Sequence, residues 1–191
     1  MTKTYSRSHA NRGAKLEMLV EMTNKKYSSA LIASINKVPT PVKIKKVTGK
    51  DVEGVKAKGE WVDYVGIYKG KMIVFDAKET TQERWPIKNI RPHQYAYLQM
   101  HSYHGAIAFL LVAFWLPGKN EPEVYILKIE QLKTWVENPK QGRGTQSIPL
   151  SYFRENCVRV RSEDGYAVDY LKALNLTGEN GFWGTIEQEV R

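Results

Sequence analysis

Nine successive apolar residues, Ala106-Ile-Ala-Phe-Leu-Leu-Val-Ala-Phe114, set the first constraint on this chain. Strand side chains alternate between the two faces of a sheet, so a strand that is apolar at every position has to be covered on both faces. Even extended to Leu116, the run falls short of the ~20 residues that cross a bilayer. It therefore predicts a central strand between two layers, which the rest of the chain has to supply. With 191 residues, 42% of them hydrophobic, one compact domain suffices.

The flanking pattern predicts those layers. Leu16, Leu19, Val20, Tyr27, Ala30 and Leu31 fall at helical spacing, with Asn11 as a cap, and predict an amphipathic helix over about 12–35. Ile90, Tyr95, Leu98 and Met100 predict a second helix over about 89–104, after a polar loop and Pro86. Glu123–Lys128 reads as a strand, 129–137 as a short helix, Asn138–Gly144 as a loop, Val158–Arg161 as a weaker strand and Tyr166–Leu174 as a last helix. Helices alternating with strands give an α/β fold with a mixed sheet. Residues 1–10 read as a flexible basic arm, 11–174 as one domain, and 175–191 as an unassigned C-terminal tail.

Charge narrows the partners. The chain has 29 Lys and Arg against 20 Asp and Glu, a formal +9, which favours a polyanion. Pro39 and Pro41 enforce extended backbone. Beyond them Lys43, Lys45, Lys46, Lys50, Lys56 and Lys58 alternate at first with Val42, Ile44 and Val47, interrupted by Gly49, Gly54 and Gly59. This predicts a basic two-stranded projection over 39–62, whose lysines serve either DNA or simple protection of a sheet edge. Cys157 is the single cysteine, which leaves no internal disulfide and no Cys-based zinc site and suits a reducing cytosol. The polar start lacks the apolar stretch of a secretion signal, so a cytoplasmic protein without a membrane segment is expected.

The chemistry is concentrated in Asp63-Tyr-Val-Gly-Ile-Tyr-Lys-Gly-Lys-Met-Ile-Val-Phe-Asp76-Ala-Lys78. Val65, Ile67, Ile73 and Phe75 are strand formers around a short turn at Lys69-Gly70-Lys71, so a hairpin is predicted. Asp76 and Lys78, two apart, face one side, and Ala77 faces the other. Two carboxylates and an ammonium so placed suit a hard divalent cation and a phosphate. An Asp-x-Lys spacing is common by chance; the apolar run Met72–Phe75 that ends at Asp76 gives it weight. Gln94 is a neutral oxygen donor that pattern alone would leave at the surface. Glu17 flanks the apolar stripe of the first helix, where a solvated glutamate is the commoner case. His93, His101 and His104 lack the paired spacing of a zinc helix and read as structural or DNA-proximal.

Taken in order, Asn11-Arg12-Gly13-Ala-Lys-Leu16-Glu17, Glu21-Met-Thr23-Asn24-Lys25, Pro39-Thr40-Pro41-Val42, Asp63-Tyr64-Val-Gly66-Ile-Tyr68-Lys69-Gly70, Phe75-Asp76-Ala77-Lys78-Glu79-Thr80, His93-Gln94, Gly165-Tyr166-Ala167 and Asp169-Tyr170 resemble the RecU Holliday junction resolvases. The resemblance implies the restriction-endonuclease-like nuclease fold, a homodimer, and cleavage of four-way junction DNA by paired symmetric nicks with Mg²⁺ or Mn²⁺. It implies that 39–62 is the stalk, whose Lys43, Lys45, Lys46 and Lys50, with Arg12 and Lys37, bind DNA. It places Asp63, Asp76 and Gln94 at metal-ligand positions, Lys78 at the position that stabilises the transition state, and Glu17 near the metal. Modulation of the recombinase RecA is a further family association.

The chain departs from the family pattern in three places. Asp76 stands where glutamate is usual, Trp61 where a threonine contacts the metal, and the stalk is short, which together with the small chain points to a phage or prophage version. The competing readings are a related nuclease acting on flaps, forks or duplex, and a non-catalytic junction-binding or recombinase-regulating protein.

Overall fold

The apolar run forms a strand over Ile107–Phe114 (β7) that is buried at all eight positions. The structure, a computed structural model, describes residues 14–57, 61–137 and 146–174. The predicted arm at 1–10, the Asn11 cap, Arg12, the loop at 138–144 and the tail at 175–191 lie outside the described residues.

β7 sits inside a six-stranded mixed sheet with Ser34–Lys37 (β1), Tyr64–Tyr68 (β4), Lys71–Thr80 (β5), Glu123–Lys128 (β8) and Val158–Val160 (β10), in the order β1-β4-β5-β7-β8-β10. Only β5 and β7 run parallel, joined through the helix Pro92–Tyr103 (α2); the other neighbours are antiparallel. Alternation along β7 divides the core as expected. Ile107, Phe109, Leu111 and Ala113 pack with Leu16, Val20 and Tyr27 of the helix Ala14–Ser29 (α1), whereas Ala108, Leu110, Val112 and Phe114 pack with Leu98 of α2 and Leu132 of the helix Ile129–Glu137 (α3).

Several boundaries differ from the sequence reading. The first helix ends at Ser29, because Leu31 takes a left-handed φ of 56° and is exposed, and the chain turns back as β1. The second helix starts at Pro92, which has no N–H to lose in the first turn, after a single 3-10 turn at Ile87–Asn89. The last helix is shortened to Tyr170–Ala173 (α5), since Glu163 and Tyr166 form a β-bridge instead. A small second sheet, Arg84–Pro86 (β6) with Ser147–Pro149 (β9), and the helix Leu150–Asn156 (α4) carry Trp85, Ile148, Leu150 and Phe153 into the core without having been anticipated.

The basic segment forms its own two-stranded sheet, Val42–Thr48 (β2) with Asp51–Lys56 (β3), and every residue of both strands is exposed. Lys43, Lys45, Lys46 and Lys50 all stand in solvent there. The hairpin that bears the site closes through Lys69 and Gly70, at φ 45° and 80°. Two positive φ values are what a two-residue hairpin turn of the tightest kind requires.

Gly66 is constrained differently. A Cβ at this position of β4 would run into the Ser34 carbonyl oxygen and the Ile35 Cα of β1. Gly66→Ala is therefore expected to cost about 1–3 kcal/mol, as overpacking of a tight core does, and to push β1 off the sheet. Urea denaturation checks this; an unchanged midpoint would refute the close approach.

Glu123, at the start of β8, ties α4 to the sheet. Arg154 donates to it from Nε (3.0 Å) and Nη2 (2.7 Å), and the Tyr125 hydroxyl donates at 2.7 Å. The Arg154 hydrogen bond outweighs partial burial and holds the carboxyl at about 2, against an ordinary 4.5. A depressed folded-state value means stability present above pH 4.5 and lost as pH falls towards 2. Arg154 is half exposed, so the effect is expected at about 1–2 kcal/mol, and Glu123→Gln should flatten that acid limb. Equal losses in both proteins between pH 6 and pH 3 would refute it.

Candidate active site

β4 and β5 differ in length, and the site follows from this. Their register pairs Tyr64 with Phe75, so Asp63 falls opposite Asp76 when it is carried one step further. There β4 stops while β5 continues to Thr80, bonded only to β7. The Ala77 N–H, left without a strand partner on that edge, donates to Asp63 Oδ2 at 3.1 Å. The Asp63 carbonyl accepts from Val38 N at 2.8 Å. Main-chain contacts on both sides thus fix one carboxylate beside the other.

Asp76 is fully buried. Its Oδ1 forms an ion pair with Lys78 Nζ, and its Oδ2 accepts a short hydrogen bond from Gln94 Nε2. Despite the ion pair, Oδ1 accepts no hydrogen bond of ordinary geometry. Burial pushes the Asp76 carboxyl well above the usual carboxylate range; the Lys78 ammonium pulls it down, and the adjacent Asp63 pushes it up again by charge repulsion and hydrogen bonding. Ala77 turns to the α1 side of the sheet, as the alternation predicts.

The structure brings Asp63, Asp76, Lys78 and Gln94 together on the α2 side. Gln94 is buried, and its amide is oriented by Arg91 N, which donates to Oε1 at 3.1 Å, leaving the NH₂ towards Asp76. So placed, Gln94 positions Asp76, and it would have to turn its amide over to offer oxygen to a cation. Glu17 is engaged by other partners: Lys37 donates at 2.8 Å both to Glu17 and to Glu21, and the Tyr64 hydroxyl reaches the Glu17 carbonyl at 3.4 Å. Lys37 is thereby engaged with two glutamates on α1 rather than free.

Two features escaped the sequence reading. Glu79 accepts from Leu16 N (3.0 Å) and Trp115 Nε1 (3.0 Å), capping α1 from the strand that carries Asp76. Trp61, noted only for the threonine it displaces, lies ring to ring with Tyr97 of α2 at 5.6 Å. The aromatic spacing Tyr97/His101 on α2 was the available signal.

Among the described residues no three His, Cys, Asp or Glu side chains form a ready-made metal cage. The donor set still fits a hard divalent ion, which takes one or two carboxylates and completes its shell with water and phosphate oxygens. Two crowded carboxylates, one of them fully buried beside a single ammonium, are the chemistry that such a cation relieves.

A mixed sheet flanked by helices, with Asp-x-Lys on a central strand and a second carboxylate across from it, defines an α/β protein whose clustered carboxylates and lysine suit metal-assisted hydrolysis. Residues 11–176 match the RecU family, Recombination protein U, and the chain belongs to it. Similar relatives include a Holliday junction resolvase RecU of Streptococcus pneumoniae (strain Taiwan19F-14), 33% identical over 88% of this chain and 85% of that one. Another, of the same name, from Pediococcus pentosaceus, is 33% identical over 90% and 87%. A solved structure of Hjc, a Holliday junction resolvase of Archaeoglobus fulgidus, covers 74% of this chain and 89% of that one at TM-score 0.39 and 12% identity, a likeness too distant to carry weight.

Proposed function

We propose that the protein is a structure-specific endonuclease that resolves four-way DNA junctions by paired nicks, using a divalent metal, Mg²⁺ or Mn²⁺. The observation that carries this reading is the convergence of Asp63, Asp76 and Lys78 at the open end of β5 in a chain of the RecU family. The names borne by its relatives support the junction as substrate.

On this reading Asp63 and Asp76 hold the cation, and Gln94 keeps Asp76 in its rotamer. Bound there, the cation would supply charge neutralisation at the scissile phosphate and a lowered pKa for water. Lys78, beside Asp76, would donate to the phosphate as negative charge develops on it. Glu17, with Lys37 and Glu21, forms an outer charged cluster beside β4. Two copies related by a two-fold axis would set two such sites on strands of like polarity, so that paired incision follows from the symmetry. The exposed β2–β3 hairpin, with Arg12, supplies phosphate contacts.

Cleavage of mobile and fixed junctions, with and without divalent metal and mapped at nucleotide resolution, tests the proposal. Symmetric nicks near the branch are expected. Equal cleavage of linear duplex and forks would defeat the resolvase assignment.

A further inference from the structure

Trp61 is 54% exposed, unusual for the largest apolar side chain, yet it is not loose. One side of its indole lies against Tyr97 (5.6 Å, 40°), and Tyr97 in turn stacks on His101 (3.9 Å, 23°). The far end of this row is fixed as well. His101 Nδ1 lies 2.8 Å from the Tyr97 carbonyl, and since a carbonyl only accepts, the ring nitrogen must donate. Tyr97 packs against the core. Three rings therefore form a row, packed on the core at Tyr97 and presenting indole to solvent at Trp61.

The position of the row bears on what it could hold. Gln94, Tyr97 and His101 are spaced i, i+3 and i+7, on one stripe of α2, and Gln94 bonds Asp76. Trp61 precedes Asp63 by two residues, a chain distance of at most about 7 Å. The row is thus tied to the site twice, by Trp61 two residues before Asp63 and by Tyr97 three residues after Gln94.

We propose that Trp61, braced by Tyr97 and His101, is a stacking platform for one unpaired nucleobase next to the phosphate that is cut. This rests on the nucleic-acid reading of the site. A base splayed from the duplex offers a flat π-face, and aromatic side chains capture such faces without regard to sequence. The platform would select for DNA in which stacking is already interrupted, because an intact duplex would first have to give up a stacked base.

The test uses the full-length protein, its Trp61→Ala and Trp61→Phe variants, and four-way junctions with 2-aminopurine placed in turn at each nucleotide flanking the branch. Binding and fluorescence are measured without divalent metal, and nicking separately with it. Trp61→Ala is expected to weaken junction binding about five- to 100-fold and to leave one 2-aminopurine brighter than in the wild-type complex. Trp61→Phe should retain most of both signals, and binding to fully paired duplex should change far less. Wild-type binding and quenching in Trp61→Ala would overturn the platform while leaving the nuclease reading intact. So would a change of oligomeric state in Trp61→Ala, which would place the ring in a protein interface. A wild-type protein that nicks nothing would defeat the nuclease reading instead, and the metal-free fluorescence would still decide whether the base is held.

Discussion

Asp76→Ala protein is expected to bind a four-way junction at least as tightly as the parent and to nick it at least about 10²–10³-fold more slowly, the loss that follows removal of a principal electrostatic group. The asymmetry follows from burial. A fully buried carboxylate neutralises no phosphate itself, so in the absence of divalent metal its removal takes away no contact to the junction. Lys78→Ala should give a comparable loss of nicking with little loss of binding, since Lys78 is one of 29 basic residues and its side chain is 15% exposed.

The two positions should part company in stability. Lys78→Ala leaves Asp63 and Asp76 crowded without their cationic partner, so its melting temperature should fall. Asp76→Asn keeps shape while ending the repulsion with Asp63, so it should melt no lower than the parent even though it nicks as poorly as Asp76→Ala. Nicking time courses, binding by fluorescence anisotropy and thermal melts distinguish these outcomes. Parental nicking by any of the three variants would remove Asp76 and Lys78 from the chemistry.

The second large effect belongs to the projecting hairpin. Replacing Lys43, Lys45, Lys46 and Lys50 together by alanine is expected to lower the slope of log affinity against log salt by about 3–4 for each protomer on the junction, since each phosphate contact releases about 0.9 counterion. At 0.1 M salt this corresponds to a loss of up to on the order of 10³-fold in junction affinity. The melting temperature should hold, because every residue of β2 and β3 is exposed and the pair forms a sheet of its own. An unchanged salt slope would reduce these lysines to edge protection.

Much of the site was legible because it is local. Asp63 to Lys78 is one hairpin: strand formers, a glycine turn and two-residue alternation specify it without help from the rest of the chain. The strand at 107–114 was legible because burial on both faces leaves a continuous apolar signature. What stayed hidden depends on distant partners. Ala30 and Leu31 extend the helical spacing of α1, but Leu31 ends in the left-handed region, and the following residues pair with β4, more than 25 positions away. β6 and β9 have three residues each, too few for periodicity, and pair only with a segment more than 60 positions away to bring Trp85 and Ile148 into the core.

The site residues divide in the same way. Gln94 is polar and helical, which by itself reads as surface, and only its bond to Asp76 explains its burial. The Glu17 carboxylate is engaged by Lys37, a partner 20 residues on. Helical spacing cannot express that pairing.

β1 and β4 are antiparallel neighbours whose facing residues include Lys37 and Tyr64, so everything between them is, topologically, one overgrown turn. Facing residues in such a ladder lie only about 5 Å apart, a gap that two or three residues can span. Excising the outgrowth beyond Val38 would therefore require no rethreading of the chain, provided that Val62, which fills the core at its base, and Asp63, which the site needs, are kept. The part that grips and the part that cuts are separable by ordinary loop surgery, and the amputated core would reveal how much of its substrate choice it makes alone.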